Sequence, residues 1–319
     1  MKCGMKVLIT GGLGLIGREI VEVLSHSGIK TVTFGRSPLP DTVSLPGNTI
    51  HEVGSVLIRD RLLEVMRDHK ITHIVHAAGA RTSDCAANPL LALESNVMGM
   101  NIVFRAAIEA GTIEKFVFLS SAALYGKVDQ KIDESYEIAP TSHYAVSKAA
   151  AEMVVTGLGA ESKITTAIVR PGFVMSLGNV GGGAKLRINT LIASAMNESE
   201  VEVKLPRRIF LHAASDLAES IVELLVDNRA EGVFHLPGIA LSIDEFCESL
   251  KNVAGEFGRS PKITMKVDED LAVPSELDFT RFKTMFGSEP IMDLESMIRE
   301  AANEVKDSIK PQLEGLSSA

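Results

Sequence analysis

Short apolar runs alternate with longer segments of helical periodicity through the first half of the chain. Five runs rich in Val and Ile have the length of buried strands, and they lie at 5–10, 30–34, 71–76, 115–120 and 164–169. Helical patterns lie between and after them, at 15–27, 56–69, 88–110 and 143–160. The sequence therefore predicts an α/β fold with a doubly wound parallel sheet of the Rossmann type, which binds ligands at the carboxyl ends of its strands.

The regular alternation is lost after Arg170. A glycine-rich loop follows, with Gly178 and the triplet at 181–183, and we expect it to be mobile and to lie on the substrate side. Beyond this loop, helical patterns at 185–197, 215–227, 242–256 and 293–308 are mixed with short strands at 201–204 and 232–236. We therefore predict a Rossmann domain over 1–170 that also carries the catalytic residues. Residues 171–319 are predicted to form mainly a smaller C-terminal substrate-binding lobe, with one part returning to the main sheet.

Composition and charge exclude several classes of partner. The 319-residue chain is 45% hydrophobic and has a formal net charge of −9 without a basic run, so nucleic acid is not an expected partner. The apolar runs are too short to span a membrane, and the first ten residues lack the features of a signal peptide. The three cysteines, Cys3, Cys85 and Cys247, are widely spaced, which predicts reduced thiols and no metal site. We expect a cytoplasmic protein that acts on a small molecule.

Glycines at 11, 14 and 17 stand between the first strand and the first helix. In this GxxGxxG spacing, Gly11 permits a tight turn, Gly14 lets the backbone approach a pyrophosphate, and Gly17 lets helix and strand pack closely. The helix N-terminus then offers N–H groups to the anion. A glycine-rich turn without a ligand is the alternative, but the flanking strand and helix favour a dinucleotide site.

The end of the second predicted strand indicates which dinucleotide binds. An acidic residue usually stands there and bonds the ribose 2′-hydroxyl, but this chain has Gly35 followed by Arg36. A guanidinium can clamp a 2′-phosphate, so the sequence favours NADP over NAD. Alternatively, Arg36 stacks on the adenine of NAD or faces solvent.

Tyr144 and Lys148 lie four residues apart, on one face of a predicted helix. An ammonium group there would lower the pKa of a tyrosine toward neutral pH and make it a usable general base. This spacing is a weak signal by itself, since it occurs by chance in many helices. Upstream, however, the strand at 116–119 ends in Ser120 and Ser121, which predicts a hydroxyl group in the same crevice.

Taken together, these motifs resemble the extended short-chain dehydrogenases, also called the NAD-dependent epimerase/dehydratase family. The matching segments are TGGLGLIG at 10–17, HAAG at 76–79, NPLLALESNVMG at 88–99, SSAALYG at 120–126, YAVSK at 144–148 and RPG at 170–172. The resemblance implies the catalytic triad Ser121, Tyr144 and Lys148. It also implies a homodimer formed by the helix at 88–110 and the Tyr144 helix. The cofactor-binding positions taken from the residues and the resemblance are Gly11, Gly14, Leu15, Ile16, Gly17, Arg36, Ser55, Val56, Ala77, Ala78, Gly79, Asn96, Tyr144, Lys148 and Pro171.

Departures from the family pattern narrow the range of expected substrates. Dehydratases of the family carry an Asp-Glu pair directly after the triad hydroxyl, where this chain has Ala122 and Ala123. Sugar-nucleotide enzymes commonly have Asn at the position of Phe173. A small polyol, sugar acid or hydroxy acid is therefore favoured over a nucleotide sugar. Besides Ser121, we expect Arg81 and Phe173 to contact the substrate, although Arg81 is equally well explained as a solvated surface residue.

The sequence thus predicts a reversible NAD(P)-dependent oxidoreductase that acts at a secondary alcohol or ketone of a sugar, sugar acid or small polyol. An epimerase that forms a transient keto intermediate on a sugar or nucleotide sugar would use the same residues. A third alternative is a non-enzymatic NADP-sensing protein. The complete set of Ser121, Tyr144 and Lys148 favours catalysis, because a sensor needs only the glycine turn.

Overall fold

The structure is a computed structural model that describes residues 4–41, 43–176, 187–197 and 200–303. The strands are β1 (Lys6–Thr10), β2 (Lys30–Gly35), β3 (Thr49–Val53), β4 (His73–His76), β5 (Lys115–Leu119), β6 (Val128–Ile132), β7 (Thr165–Val169), β8 (Phe173–Met175), β9 (Val201–Leu205), β10 (Arg208–Ala213), β11 (Gly232–Phe234), β12 (Ile239–Ser242), β13 (Ile263–Val267) and β14 (Pro274–Leu277). The helices are α1 (Leu15–His26), α2 (Arg59–Asp68), α3 (Thr82–Ala87), α4 (Pro89–Ala92), α5 (Gly99–Ala110), α6 (His143–Glu161), α7 (Arg187–Met196), α8 (Ala214–Val226), α9 (Ile243–Glu256) and α10 (Thr280–Phe286). A π-helical turn at Leu93–Met98 joins α4 to α5, a 3-10 turn spans Ala122–Tyr125, and a further helix covers 294–303. The glycine loop at 178–183, Cys3 and the end of the helix predicted at 293–308 lie outside the described residues.

A seven-stranded sheet forms the centre of the molecule, in the order β11-β7-β5-β4-β1-β2-β3. Every neighbouring pair in this sheet is parallel. Thr10 is paired with His76, and His76 with Phe118, so the carboxyl ends of β1, β4 and β5 lie at one edge. The doubly wound Rossmann fold is confirmed, and folds of this type bind their ligands at this edge.

Apolar layers cover both faces of the sheet. On one face, Val7 and Ile9 of β1 pack with residues of α1 and α8; on the other, Leu8 packs with residues of α2, α5 and α6. The alternation along β1 follows from the period of two residues in a strand. Burying each such side chain stabilises the fold by roughly 1.5–3 kcal/mol. Two elements from the second half of the chain belong to this core, since α8 packs beside α1 and β11 pairs with β7.

The remaining strands build a smaller structure beside the carboxyl edge. β8 and β10 are parallel, β12 is antiparallel to β10, and the pairs β9–β13 and β6–β14 are parallel. Residues of α7 and α9 share an apolar core with β8, β9, β10, β12 and β13, whereas β6 and β14 belong to a separate apolar cluster. Because β8 begins at Phe173, four residues after the end of β7, this smaller structure is attached at the carboxyl edge of the main sheet.

Candidate active site

The glycine turn between β1 and α1 forms a close-packed cradle. Gly11 has φ +73°, and a Cβ atom on Gly17 would lie 2.4 Å from the Gly11 carbonyl oxygen. Gly14 is the N-cap of α1, and no side chain caps the N–H groups of the first turn, where Leu15 and Ile16 are half-buried. A backbone without side chains at an open helix N-terminus fits a pyrophosphate group. These residues therefore fit the dinucleotide predicted from the sequence.

The segment after β4 forms the wall next to the cradle. A Cβ atom on Gly11 would lie 2.8 Å from the Ala78 nitrogen, and the Ala77 N–H donates to the Thr10 carbonyl over 3.1 Å. A Cβ atom on Gly79 would lie 2.7 Å from Asn96 Oδ1. The HAAG segment is thus held against the glycine turn on one side and the π-helical turn on the other.

Asn96 lies on the π-helical turn and is buried. Its Oδ1 accepts from the Ala80 N–H over 2.7 Å, and its Nδ2 donates to Ser147 Oγ over 2.8 Å. Ser147 in turn donates to the Tyr144 carbonyl over 2.8 Å. π-Helical turns are frequent at functional sites, and this one ties the segment after β4 to the start of α6. The amide of Asn96 is therefore engaged with protein groups, and its contact with a cofactor stays a prediction.

Ser121, Tyr144 and Lys148 come together at the carboxyl edge of the sheet. Ser121 follows β5, and its Oγ accepts from the Ala123 N–H over 3.2 Å. Tyr144 is in the first turn of α6, where the Ser121 side chain acts to lower the pKa of its phenol. Lys148 follows one turn later, with its Nζ 6.0 Å from the Tyr144 ring centroid and donating to the Leu119 carbonyl over 2.8 Å. The arrangement joins a hydroxyl, a phenol and a cation beside the glycine cradle.

Burial shifts the titration of both groups on α6. It raises the pKa of Tyr144 above its ordinary value, and the hydrogen bond with Ser121 opposes this effect. Burial also lowers the pKa of Lys148 to about 8, against the opposing negative charge of Glu152. At neutral pH the phenol is therefore protonated and the lysine is mostly charged.

Two buried histidines near the site have structural contacts. The Thr10 hydroxyl lies 2.7 Å from His76 Nδ1, and burial lowers the pKa of His76 to about 3. His212 Nε2 accepts from the Gly172 N–H over 3.0 Å, and its Nδ1 donates to the Pro237 carbonyl over 2.7 Å. Burial lowers the pKa of His212 to about 4. Both imidazoles are neutral at pH 7, so neither is placed to exchange protons there.

The end of β2 lacks a free carboxylate. Gly35 is half-buried, and Arg36 is exposed directly after the strand. The nearest acidic side chain on the neighbouring strand is Glu52, which is bound to Arg61 and to His69. Within the described part of the chain, Arg36 forms no ion pair or hydrogen bond. The guanidinium is thus available at the position where dinucleotide-binding folds recognise the adenosine ribose.

Ser55 and Val56 follow β3 on the same side of the sheet. Ser55 Oγ accepts from the Leu57 N–H over 3.2 Å, so it caps the turn before α2. A Cβ atom on Gly99 would lie 2.8 Å from Val56 Cγ2, which shows that Val56 packs against the start of α5. Both residues are half-buried, and their contact with adenosine stays a prediction.

Three residues predicted to contact the substrate or the cofactor differ in their contacts with the rest of the protein. Arg81 is exposed and bound to Asp84, with Nε 2.9 Å from Oδ2 and Nη2 3.1 Å from Oδ1, so its charge is already partly neutralised. Phe173 begins β8 and packs against the core of the smaller structure. Pro171 accepts from the Ala122 N–H over 2.8 Å, which fixes the chain beside Ser121. Pro171, which is a predicted cofactor contact rather than a substrate contact, is thus tied directly to the segment that follows Ser121.

A cavity of about 310 Å³ opens beside Tyr144. It lies between α3 and the segment before α6, and its lining includes Thr82, Ala86 and Thr141. The volume is at the lower end of the range for ligand pockets.

Sequence reasoning missed a buried ion pair one helical turn beyond Lys148. Arg170 Nη2 lies 2.6 Å from Glu152 Oε2, and Glu152 is one helical turn beyond Lys148. A signal was present, because a carboxylate four residues after Lys148 falls on the same, buried face of the helix. Its partner was not foreseeable, since Arg170 lies on a different element.

Comparisons with known proteins agree on one family. The sequence model of the NAD dependent epimerase/dehydratase family matches residues 7–236. A UDP-glucose 4-epimerase of Azospirillum brasilense is 28% identical over 79% of this chain and 78% of its own length. An uncharacterized epimerase/dehydratase of Staphylococcus aureus is 27% identical over 96% of this chain and 98% of its own. The solved structure of the Thermus thermophilus UDP-glucose 4-epimerase complex with NAD superposes with a TM-score of 0.84 at 22% identity, covering 95% of this chain and 99% of that one.

Among the helices described here, none is long and apolar enough to cross a membrane.

Proposed function

Because this chain belongs to the NAD-dependent epimerase/dehydratase family and is an enzyme of that type, we propose that it catalyses reversible hydride transfer at a secondary alcohol or ketone. The proposed substrate is a sugar, sugar acid or similar small polyol. The observation that carries the proposal is the convergence of Ser121, Tyr144 and Lys148 at the sheet edge beside the glycine cradle.

Each of the three residues has one task in this chemistry. Tyr144 takes the proton from the substrate hydroxyl during oxidation and returns it during reduction, while Ser121 hydrogen-bonds the same oxygen. Lys148 supplies the positive charge that stabilises the phenolate. The nicotinamide, when bound, accepts the hydride and gives it back. The protonated form of Tyr144 is the one that donates a proton during ketone reduction, whereas oxidation of an alcohol requires the phenolate form.

An epimerase is the second candidate, because relatives such as the Azospirillum protein carry that name. The purified enzyme is incubated with NAD or NADP and candidate alcohols, including UDP-glucose. A net increase in the absorbance of the reduced nicotinamide supports a dehydrogenase. Interconversion of sugar isomers without net reduction supports an epimerase, and the absence of both outcomes with every alcohol contradicts the proposal.

Tyr144→Phe removes the proton-transferring hydroxyl and keeps the ring. We expect kcat to fall by about 100-fold or more, since a positioned acid–base group contributes roughly that factor. The dissociation constant of the cofactor should stay nearly unchanged. Tyr136→Phe is the matched control, because Tyr136 is exposed and lies outside the triad. Full activity of Tyr144→Phe would contradict the proposed mechanism.

We also propose that the cofactor is NADP, with Arg36 as the ligand of the 2′-phosphate. The support is the exposed guanidinium after β2 and the engagement of Glu52 elsewhere. Arg36→Ala should weaken NADP binding by about tenfold, the value of one charge-assisted contact. NAD binding should stay unchanged in the same titration. Equal losses of affinity for both dinucleotides would instead indicate that Arg36 contacts the adenine, which NAD and NADP share.

A homodimer is proposed for the assembled enzyme. Large apolar side chains are exposed on the helical run at 89–110 and on α6, which pack against each other. Val146 and Met153 are seven residues apart on α6, so they share one face, and Met153 is 73% exposed. An apolar stripe on two adjacent helices matches the self-complementary patch of a two-fold interface.

A further inference from the structure

Ser121 and Tyr125 stand at the two ends of one short turn. Ser121 is the N-cap of the 3-10 turn Ala122–Tyr125, and its Oγ accepts from the Ala123 N–H over 3.2 Å. The Leu124 N–H donates to the Ser121 carbonyl over 3.4 Å. Because hydrogen bonds close this turn, a displacement of Tyr125 also displaces the hydroxyl of Ser121.

The side chain of Arg170 joins this turn to α6. Its Nη1 donates over 2.6 Å to the Tyr125 hydroxyl. On its other side, Nε donates over 3.0 Å to Glu152 Oε1 and Nη2 over 2.6 Å to Oε2, which is a bidentate contact. Glu152 lies on α6 about two helical turns after Tyr144. The bridge Glu152–Arg170–Tyr125 therefore connects the turn of Ser121 with the helix that carries Tyr144.

The hydrogen bonds beyond Tyr125 have a fixed direction. His235 Nδ1 lies 3.1 Å from the Asp278 carbonyl, which can only accept, so Nδ1 carries the proton of the ring. Burial lowers the pKa of His235 to about 4, so its Nε2 is unprotonated at pH 7 and accepts from the Tyr125 hydroxyl over 2.7 Å. The Tyr125 oxygen thus donates to His235 and accepts from Arg170, and both contacts hold the phenol in one orientation.

Water cannot replace the contacts of this bridge. Tyr125, Glu152 and Arg170 are 1%, 5% and 7% exposed. A buried polar group that loses its partner keeps the full cost of its desolvation. The turn of Ser121 is therefore held against α6 by bonds that are costly to break.

We propose that Tyr125 and Arg170 are positioning residues, which hold the turn of Ser121 at a fixed distance from α6 so that Ser121 and Tyr144 reach the same substrate oxygen. The effect on turnover rests on the proposed function, whereas the position of the turn is a property of the protein without substrate. The alternative role of Arg170 is to neutralise Glu152, and the contact with Tyr125 is not needed for that.

Tyr125→Phe separates these two roles, because it breaks the bridge and leaves the ion pair of Arg170 with Glu152 intact. Arg170 Nη1 keeps its second acceptor, the Glu134 carbonyl, over 3.2 Å. We expect kcat to fall by roughly 10- to 100-fold, the cost of misplacing a reacting group by about 1 Å. The KM of the alcohol and the dissociation constant of the cofactor should change little, since the glycine cradle is not part of the bridge.

Tyr136→Phe is the matched control, because Tyr136 is exposed and its ring lies beside that of Tyr125. Its kcat should stay unchanged. If the bridge only stabilises the fold, Tyr125→Phe will unfold at a lower urea concentration but retain the kcat of the unaltered protein. That result would overturn the proposal, as would a fall in kcat matched by an equal loss of cofactor affinity.

Arg170→Lys tests the other half of the bridge. It keeps a cation beside Glu152, but an ammonium group lacks the planar fork that reaches the carboxylate and the Tyr125 hydroxyl together. If both residues act through one bridge, the double variant with Tyr125→Phe should lose no more kcat than the more affected single variant. Additive losses of kcat would overturn the proposal. Should Arg170→Lys fail to fold, the comparison of Tyr125→Phe with Tyr136→Phe decides alone.

NMR measures the position of the turn without a substrate. The chain contains three tyrosines, so labelling tyrosine with ¹³C at Cζ gives three signals, and the Tyr144 signal is assigned by its absence in Tyr144→Phe. We expect Tyr125→Phe to shift the Tyr144 signal and Tyr136→Phe to leave it in place. In a Ser121→Ala background the shift caused by Tyr125→Phe should be smaller, since the Ser121 hydroxyl that acts on the phenol is gone.

An unchanged Tyr144 signal in folded Tyr125→Phe would overturn the proposal, and so would a shift of the same size in the Ser121→Ala background. Failure of all candidate alcohols would count against the proposed function alone, because the NMR signals are measured without turnover.

Discussion

In the glycine turn, the absence of a side chain decides how closely the backbone can pack. A Cβ atom on Gly17 would lie 2.4 Å from the Gly11 carbonyl oxygen and 2.7 Å from the Gly12 Cα, and both are backbone atoms. The turn would have to open to admit a methyl group. The shape of the pyrophosphate cradle therefore depends on this position, as the GxxGxxG spacing predicts.

We expect Gly17→Ala to weaken dinucleotide binding by about tenfold or more and to destabilise the fold by roughly 1–3 kcal/mol, as overpacking does. Cofactor titration by fluorescence and urea unfolding measure the two effects. Gly255→Ala in α9 is the control, because a Cβ atom there meets nothing within 4 Å. Unchanged binding in Gly17→Ala would mean that the turn does not form the cofactor cradle.

Residues with local signals were predictable from the sequence, and those defined by tertiary partners were not. The glycines, Tyr144 and Lys148 are recognised by spacing within one turn or one helix. Arg170 and Glu152 become a pair only when β7 and α6 pack together. Arg81 was predicted either to contact the substrate or to be a solvated surface residue, and its contact with Asp84 forms at the start of α3.

Among the elements, those with continuous apolar patterns were predicted correctly. The edge strand β3 was missed because it is only partly buried and has no apolar run. The helical run at 89–110 was predicted, but the π-helical turn within it was not, since one extra residue per turn leaves little trace in a mixed apolar pattern. The exposed stripe on this run and on α6 is explained by the proposed dimer.

Met153→Lys should convert the dimer into a monomer, because a charge would have to be buried at the centre of the apolar stripe. Size-exclusion chromatography with light scattering measures the mass directly. Met265→Lys on β13 is the matched control, since Met265 is also exposed and lies away from these helices. A monomeric unaltered chain, or a dimer in Met153→Lys, would contradict the proposed interface.

For the whole molecule, buried histidines connect stability to pH. His76, His212 and His235 are at most 1% exposed, and burial lowers their pKa values to about 3, 4 and 4. The unfolded chain binds protons near pH 6.5, whereas the folded chain does not. Folding stability is therefore fully present above pH 6.5 and is lost as pH falls toward 4.

We expect the free energy of unfolding to fall by about 1.4 kcal/mol per pH unit for each of these histidines between pH 6 and 4. Urea unfolding at closely spaced pH values measures this slope. Paired carboxylates such as Asp227, whose contact with Arg229 lowers its pKa to about 2, act mainly below pH 4. A flat stability curve between pH 6 and 5 would show that the histidines take up protons in the folded state.

The parallel arrangement of the main sheet followed from the alternation of strands and helices, but the pairing in the smaller structure did not. β9 pairs with β13 and β6 pairs with β14 across long stretches of chain. Short strands with mixed composition give no signal about which distant partner they join. The sequence predicted that part of the C-terminal half returns to the main sheet, but it did not indicate that β11 is the strand that pairs with β7.

The position of β11 and α8 has a consequence for synthesis of the protein on the ribosome. When residue 170 has emerged, β7 still presents an unpaired edge, and the apolar side chains of α1 that α8 will cover are in contact with water. The nascent Rossmann unit is then exposed to edge-to-edge association until at least residue 234 has left the exit tunnel. A chaperone that holds apolar segments would therefore be needed most during this interval, and a chain stopped after residue 170 would aggregate rather than fold.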